Sequence, residues 1–440
     1  MFIIKKVYKN LNQLSSNPIN SLKGIVNIPG DKSISHRSLI LGALSIGITK
    51  IDGIAFSEDI LNLIKTLKAL GVKIIIKGKI IIVHGVGIGG LKKTKKLYMG
   101  NSGTATRLMM GVLSNQEFKV NISGDKSLSK RPMQKIIEPL TKMGAEIKSK
   151  NGKLPIIIKG VNETLPINYN LIIPSAQIKS SILLASLGTP GLTTIVENIP
   201  TRDHTEILLK IQIKRKKNKN LILLKGQKEL IAKNITISGD PSSASIVGAA
   251  ALITPNSEIK IKNVNINKTR STFFNVLKKM NANIHISKKG CVSNEEIADI
   301  TFKSSQLKGV HLEKKTVSGM IDEIPIFSII AAFASSNSSF SGGEELKYKE
   351  SNRIDSIYSG LLKCKVKVKK KLNGLSIISN KNKPYGGSTI QTNFDHRIAM
   401  SFLIMGIASV KKIKINESNC IKTSFPDFVN LINNLGAKIS

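Results

Sequence analysis

Cations gathered at the starts of apolar helices are the first chemistry the sequence offers. Lys32 and Arg37 flank the start of PGDKSISHR, Arg107 lies one turn into GNSGT, and Lys179 lies one turn into PSAQ. Arg131 opens an amphipathic stretch, Arg202 sits in TRDHTE, Lys349 and Arg353 sit in KESNR, and Arg397 follows His396. The starts PGDKS, GNSGT, PSAQ and SGDPSS carry Gly, Ser or Asp. Free backbone N–H groups and the positive end of the helix dipole make such a start an anion site. Ser and Asp are also ordinary N-caps, and any one of them alone reads that way. Cations recurring at equivalent starts point instead to a site that grips several phosphate or carboxylate groups.

Acids are few, so their placement matters. Asp322 and Glu323 precede Pro325, and Glu350 lies between Lys349 and Arg353. Each suits a cap or an ion pair; among so many cations, one can also serve as a base and another as a proton carrier. His36, His204 and His396 are too far apart in sequence to suggest a metal site, and His36 and His396 are expected to hold hydrogen bonds near helix starts. There is no P-loop, no GxGxxG, no Ser-His-Asp order and no cysteine in an electropositive loop.

The elements that must position these residues form a sixfold repeat. Segments starting at Ser33, Ser102, Ser175, Ser242, Glu323 and His396 each run from a small polar start into small and apolar residues, at intervals of 67 to 81 residues. Each is apolar nearly all round, the mark of a buried helix. Between them lie stretches with the 3.6-residue period of half-exposed helices, most ending in Gly or Asn before an Ile/Val strand. The third copy, TRDHTEILLKIQIKRKKNKN, lacks that ending, and KRKKNK at 214–219 reads as a solvated loop. The repeat reads as a β–α–β–α–β–β module, and six modules suggest two domains of three.

The chain has 440 residues, 41% of them hydrophobic, and 67 basic against 28 acidic residues give a net charge of +39. The excess is mostly lysine spread along the chain, Ile and Asn are also abundant, and aromatic residues are only 4%. With no RNA-binding aromatic motif and no Cys/His finger, this reads as coding bias, not as a specific nucleic-acid binder; the field still attracts small anions. No apolar run is long enough for a membrane span. The three cysteines are too scattered for a disulfide framework, so a soluble, reduced, cytoplasmic protein is expected.

Ten motifs occur in order from residue 29 to 428: PGDKSISHR, NSGTATRL, GDKSLSKRPM, SAQIKSSILLA, TRDHTE, GDPSSAS, MIDEIPIF, KESNR, DHRIAMSFL and TSFPDF. With them the chain resembles the 3-phosphoshikimate 1-carboxyvinyltransferase, or 5-enolpyruvylshikimate-3-phosphate synthase, family; SAQIKS and TRDHTE resemble its class II branch. The resemblance implies the α/β two-domain enolpyruvyl transferase fold, with residues 31–241 inserted as one three-repeat domain, residues 1–30 plus 242–440 forming the second, and the active site in the inter-domain cleft. It implies transfer of the enolpyruvyl group of phosphoenolpyruvate to the 5-hydroxyl of shikimate 3-phosphate by addition and elimination of phosphate. It further implies no metal or organic cofactor, a monomer, and no membrane or specific nucleic-acid partner.

By the same resemblance Lys32, Ser33, Arg37, Ser175, Ala176, Gln177, Arg202, Asp322 and Lys349 bind shikimate 3-phosphate. Lys32, Gly103, Arg131, Gln177, Arg353 and Arg397 bind phosphoenolpyruvate, with Arg107 a weaker candidate. Asp322 is the proton acceptor, Glu350 exchanges a proton with the methylene carbon, and Lys32 and Lys349 assist. Glyphosate is expected in the phosphoenolpyruvate site, with Gly103 setting its room. Two positions depart from the family pattern. Asn352 stands where Asp is usual and is expected to bear on the orientation of Arg353, and Lys422 is one residue out of register with the lysine of the class I branch. The related UDP-N-acetylglucosamine 1-carboxyvinyltransferase family usually carries a Cys or Asp in a mobile loop, and none of Cys291, Cys364 and Cys420 sits in such a loop.

Overall fold

The computed structural model describes residues 13–440 except 218 and 381. The chain divides into two compact units. One comprises Pro29–Ser238 with Cys291–Glu295; the other comprises Gly239–Gly290 and Glu296–Ser440 with the described residues up to Ile28. Each has its own apolar core.

One repeat shows the construction. Strand Lys96–Tyr98 leads into helix Gly103–Leu113, strand Lys119–Ser123, helix Gln134–Lys142, and a hairpin of Glu146–Lys150 and Lys153–Lys159. The first two strands pair in parallel because a helix connects them, and the hairpin adds antiparallel neighbours. The opening strands of two repeats come from elsewhere in the chain. Ile235–Thr236 pairs in parallel with Ile46–Asp52, and Lys23–Asn27 with Glu258–Asn265. The last sheet has three strands, Gln13–Ser16, Ile413–Asn416 and Thr389–Ile390.

Six buried helices form the centres of the repeats. In the first unit they are α1 (Lys32–Leu44), α2 (Gly103–Leu113) and α3 (Ala176–Ala185). In the second they are α4 (Pro241–Ile253), α5 (Ile324–Ala332) and α6 (His396–Ala408), in which every residue is buried. A helix apolar on all sides can only be covered by neighbours on all sides, so each repeat depends on the next for its core.

The half-exposed helices stop as the sequence predicts, on a residue in the left-handed region. Gly71, Gly144, Asn281 and Gly436 take φ of +87°, +104°, +61° and +112°. Lys210 and Lys365 adopt the same conformation, at 53° and 60°, without the residue type that favours it. In the third copy the helix is only six residues, His204–Leu209. KRKKNK is not a loop. Positions 214–216 end the exposed strand Gln212–Lys216 and Lys219 begins strand Lys219–Lys225, while Asn218 lies outside the described residues. Gln212–Lys216 is the edge of its sheet, where a lysine-rich strand discourages pairing with another chain.

Close helix packing sets the spacing on which the site depends. A Cβ on Gly111 of α2 would stand 2.2 Å from the backbone oxygen of Ser181 in α3. Gly111→Ala is therefore expected to force the helices apart and cost about 1–3 kcal/mol, the usual range for overpacking. Denaturant unfolding measures this, and an unchanged midpoint would show slack between α2 and α3.

Candidate active site

In the first unit, α1, α2 and α3 bring their starts together. Asp31 caps α1 by accepting the Ile34 N–H at 2.9 Å, and Ser102 caps α2 by accepting the Ala105 N–H at 3.2 Å. His36 joins these starts: Nδ1 lies 2.7 Å from the Lys32 carbonyl and Nε2 lies 3.1 Å from the Ser102 hydroxyl. A carbonyl only accepts, so Nδ1 carries the proton and Nε2 accepts from Ser102. Lys32 pairs with Asp59 at 3.1 Å. Arg37 is buried and donates to the Thr205 and Ser180 hydroxyls, both at 2.7 Å, and to the Ser33 carbonyl at 3.0 Å. Burial pulls Arg37 down to about 10, with Glu206 and Asp31 opposing, which leaves it charged at neutral pH.

At the start of α3, Gln177 accepts from Arg107 and donates to Thr104, each at 2.9 Å. Ser175 occupies the N-cap position without a side-chain cap bond, and Ala176 is the first helical residue. Arg131 follows the short helical turn Leu128–Lys130 and donates to Asn101, which itself donates to Asp125 at 2.6 Å. A Cβ on Gly103 would meet the Arg107 and Arg131 guanidinium nitrogens at 2.8 and 2.9 Å, so a bare backbone there lets both cations approach. Lys179 departs from expectation. It is fully buried and held by Glu197 at 2.9 Å and Glu206 at 2.8 Å, so its charge is engaged inside the protein and does not join the anion-gripping set.

The second unit gathers carboxylates as well as cations. Arg353, the first residue of helix Arg353–Lys363, is 1% exposed. It pairs with Asp395 at 2.8 Å, Glu350 at 2.7 Å and Asp322 at 3.3 Å. Burial works against its charge, but Asp395, Glu350 and Asp322 more than offset this, so its pKa lies above the ordinary arginine value. Asp322 also meets Lys349 at 3.4 Å and Arg397 Nε at 4.0 Å, while Arg397 donates to the Asp322 carbonyl at 3.0 Å. Glu323 takes the Ser242 hydroxyl at the start of α4 and lies 3.8 Å from Arg270, which holds Asp240 at 3.0 Å. Asp395 and Asp240 cap α6 and α4. His396 shares a hydrogen bond with Thr423 at 3.3 Å. Asn352 caps its helix and bonds Asp355; Arg353 is oriented by the three carboxylates, not by Asn352. Cys364 and Cys420 are buried, which raises both thiols, Cys364 to about 12.

The helix starts of one unit are rich in cations and hydroxyls, and those of the other carry clustered carboxylates. Comparison with known proteins decides the family. The sequence model for EPSP synthase (3-phosphoshikimate 1-carboxyvinyltransferase) matches residues 16–432. The chain belongs to this family. It is 44% identical over 426 residues to the 3-phosphoshikimate 1-carboxyvinyltransferase of Ruthia magnifica, covering 96% of this chain and 98% of that one. With the Bartonella quintana protein of the same name it shares 44% over 428 residues, covering 95% and 97%. The solved EPSP synthase of Acinetobacter baumannii superposes with a TM-score of 0.84 at 39% identity, over 97% of this chain and 99% of that chain. The enolpyruvyl transferase NikO from Streptomyces tendae superposes at 0.78 with 14% identity, covering 97% and 98%, a likeness of fold alone. Among the described residues no helix is long and apolar enough to cross a membrane.

Within this EPSP synthase family chain, Asp59, Asn101 and Asp395 hold Lys32, Arg131 and Arg353, and sequence reasoning singled out none of them as a partner. Asn101 and Asp395 had a local signal, since they lie in the NSGTATRL and DHRIAMSFL motifs. His36 gives a test of the buried starts. Burial lowers its pKa from 6.5 to about 4. The unfolded chain therefore takes up the proton first as pH falls below 6.5, and stability is lost down to pH 4, by up to about 3 kcal/mol from this group. Urea unfolding at pH 7 and pH 4.5 should show a smaller acid loss in His36→Gln than in the parent. Equal losses would mean that His36 is protonated in the folded protein.

Proposed function

We propose that the residues of both units serve one addition–elimination reaction. The chain transfers the enolpyruvyl group of phosphoenolpyruvate to the 5-hydroxyl of shikimate 3-phosphate and releases phosphate. The observation that carries the residue assignments is Asp322, a carboxylate met by Lys349, Arg353 and Arg397 within 4.0 Å. The substrates bring phosphate and carboxylate groups, whose repulsion must be offset by fixed cations before a hydroxyl can approach the enol carbon.

Lys32, Ser33, Arg37, Ser175, Ala176, Gln177 and Arg202 hold shikimate 3-phosphate, with Asp322 and Lys349 at its 5-hydroxyl. Lys32, Gly103, Arg131, Gln177, Arg353 and Arg397 hold phosphoenolpyruvate. Asp322 accepts the hydroxyl proton as the oxygen attacks, and Glu350 delivers a proton to the methylene carbon. In the second step Glu350 takes a proton back from the new methyl group while phosphate departs from the tetrahedral intermediate, and the proton held by Asp322 leaves with the phosphate. The Arg353 pairs keep Glu350 and Asp322 in fixed relation, so little reorganisation accompanies either step.

Phosphate release that requires both substrates tests the reaction. Asp322→Asn preserves shape and should bind shikimate 3-phosphate nearly normally while losing turnover by roughly 10²–10⁴-fold, the range for a general base. Parental turnover in that variant would remove Asp322 from the role.

Gly103→Ala tests the phosphoenolpyruvate assignment. The added methyl must displace the Arg107 and Arg131 guanidinium groups, which are the far ends of flexible side chains. The expected result is competitive inhibition of the parent by glyphosate against phosphoenolpyruvate, and weaker inhibition of the variant. Parent insensitivity at concentrations far above the phosphoenolpyruvate KM would show that Gly103 does not decide access.

A further inference from the structure

The turn that carries Arg202 has no regular structure of its own. It spans residues 198–203, between strand Leu192–Glu197 and the six-residue helix His204–Leu209. So short a helix cannot hold itself, and the turn must take its position from tertiary contacts. Those contacts lie on both sides of Arg202. Thr201 gives its N–H to Glu197 Oε1 at 2.9 Å and its hydroxyl at 2.6 Å. His204 pairs with Glu295 at 2.6 Å, and Thr205 is bound by Arg37 and Ser180. Glu206 meets Lys179 at 2.8 Å.

Lys179 is the group common to the two flanks. Its ammonium joins Glu197, which holds Thr201, to Glu206, which lies in the helix after Arg202, and it reaches the Thr201 carbonyl at 3.4 Å. It also stands two residues after Gln177 on α3, so one side chain ties the Ser175–Gln177 helix start to the Arg202 turn. A buried ion cluster of this kind contributes little stability over apolar residues of equal volume, so its value lies in fixing geometry.

We infer that Lys179 is a positioning residue that sets the place of Arg202 and, through it, the affinity for shikimate 3-phosphate. This rests on the assignment of Arg202 above.

The experiment measures the KM for each substrate in Lys179→Met, in the charge-balanced pair Lys179→Met with Glu206→Gln, in Arg202→Ala, and in the charge-balanced pair combined with Arg202→Ala. Lys179→Met alone leaves two buried carboxylates against one remaining buried arginine and can fail to fold. The charge-balanced pair removes one charge of each sign and decides the matter in that case. The KM for shikimate 3-phosphate should rise about 10-fold, the scale of one displaced charge-assisted hydrogen bond. The KM for phosphoenolpyruvate should stay within about twofold, since loss of contacts to one substrate leaves the other's binding intact. In the Arg202→Ala background the pair should add nothing further, as expected when two residues act through one contact. Equal rises in both KM values, or an additive effect in that background, would overturn the positioning role. So would a rise in Arg202→Ala that the charge-balanced pair does not share, leaving the Arg202 assignment intact. An unchanged KM in Arg202→Ala would instead overturn that assignment, and the positioning role with it.

Discussion

Packing three apolar helices side by side with their starts together is the constraint from which the rest of each unit follows. Every such start leaves unpaired N–H groups and a positive dipole end in a place with little water. The protein meets this with N-cap acids and hydroxyls at Asp31, Ser102, Asp240 and Asp395. It then adds cations, which makes the starts more positive still. Such an arrangement is stable only if acids lie close by or an anionic ligand arrives, and that conditional stability is what makes a helix start a binding device.

The two units answer the constraint differently. Around α1–α3, Arg37, Arg107 and Arg131 donate to hydroxyl, amide and carbonyl oxygens, while Lys32 pairs with Asp59. Around α4–α6, Arg353 is surrounded by carboxylates and Asp322 by cations. The first arrangement suits grip, because several cations are fixed at the helix starts themselves. The second suits proton transfer, because it keeps carboxylates ordered and close to one another. The proposed division between substrate holding and acid–base work follows from this contrast in partners.

Much of this was legible in sequence because it is local. Helix type follows from the apolar period, helix stops from Gly71, Gly144, Asn281 and Gly436, and capping from residues two or three positions ahead of their partners. The remainder depends on partners far apart in the chain. Asp59 looks like an ordinary first-turn acid of its own helix, yet it holds Lys32. Lys179, like Arg107, lies about one turn into its helix, but it meets Glu197 and Glu206 where Arg107 meets an amide. Side-chain spacing places a cation on a helix; only the neighbouring strand and turn decide whether its charge faces a ligand or a buried acid. The lysine-rich edge strand was misread for a related reason, since high polarity there reflects exposure and not loss of backbone pairing.

Arg353 shows how far such partners can carry a function. Its guanidinium forms one rigid plane with five donors, and here it contacts three carboxylates from three separate segments. A lysine would supply the same charge as a compact, freely rotating ammonium, without the fixed fork of donors that pre-sets the directions of the acids. Removing the arginine would leave Asp395, Glu350 and Asp322 mutually repelling within one small volume, so the geometry of the acids and the fold of the turns bearing them stand or fall together. In the reaction we propose, the charge that makes the carboxylates tolerable to the fold also holds them ready for chemistry, so that a structural ion cluster serves as electrostatic preorganisation.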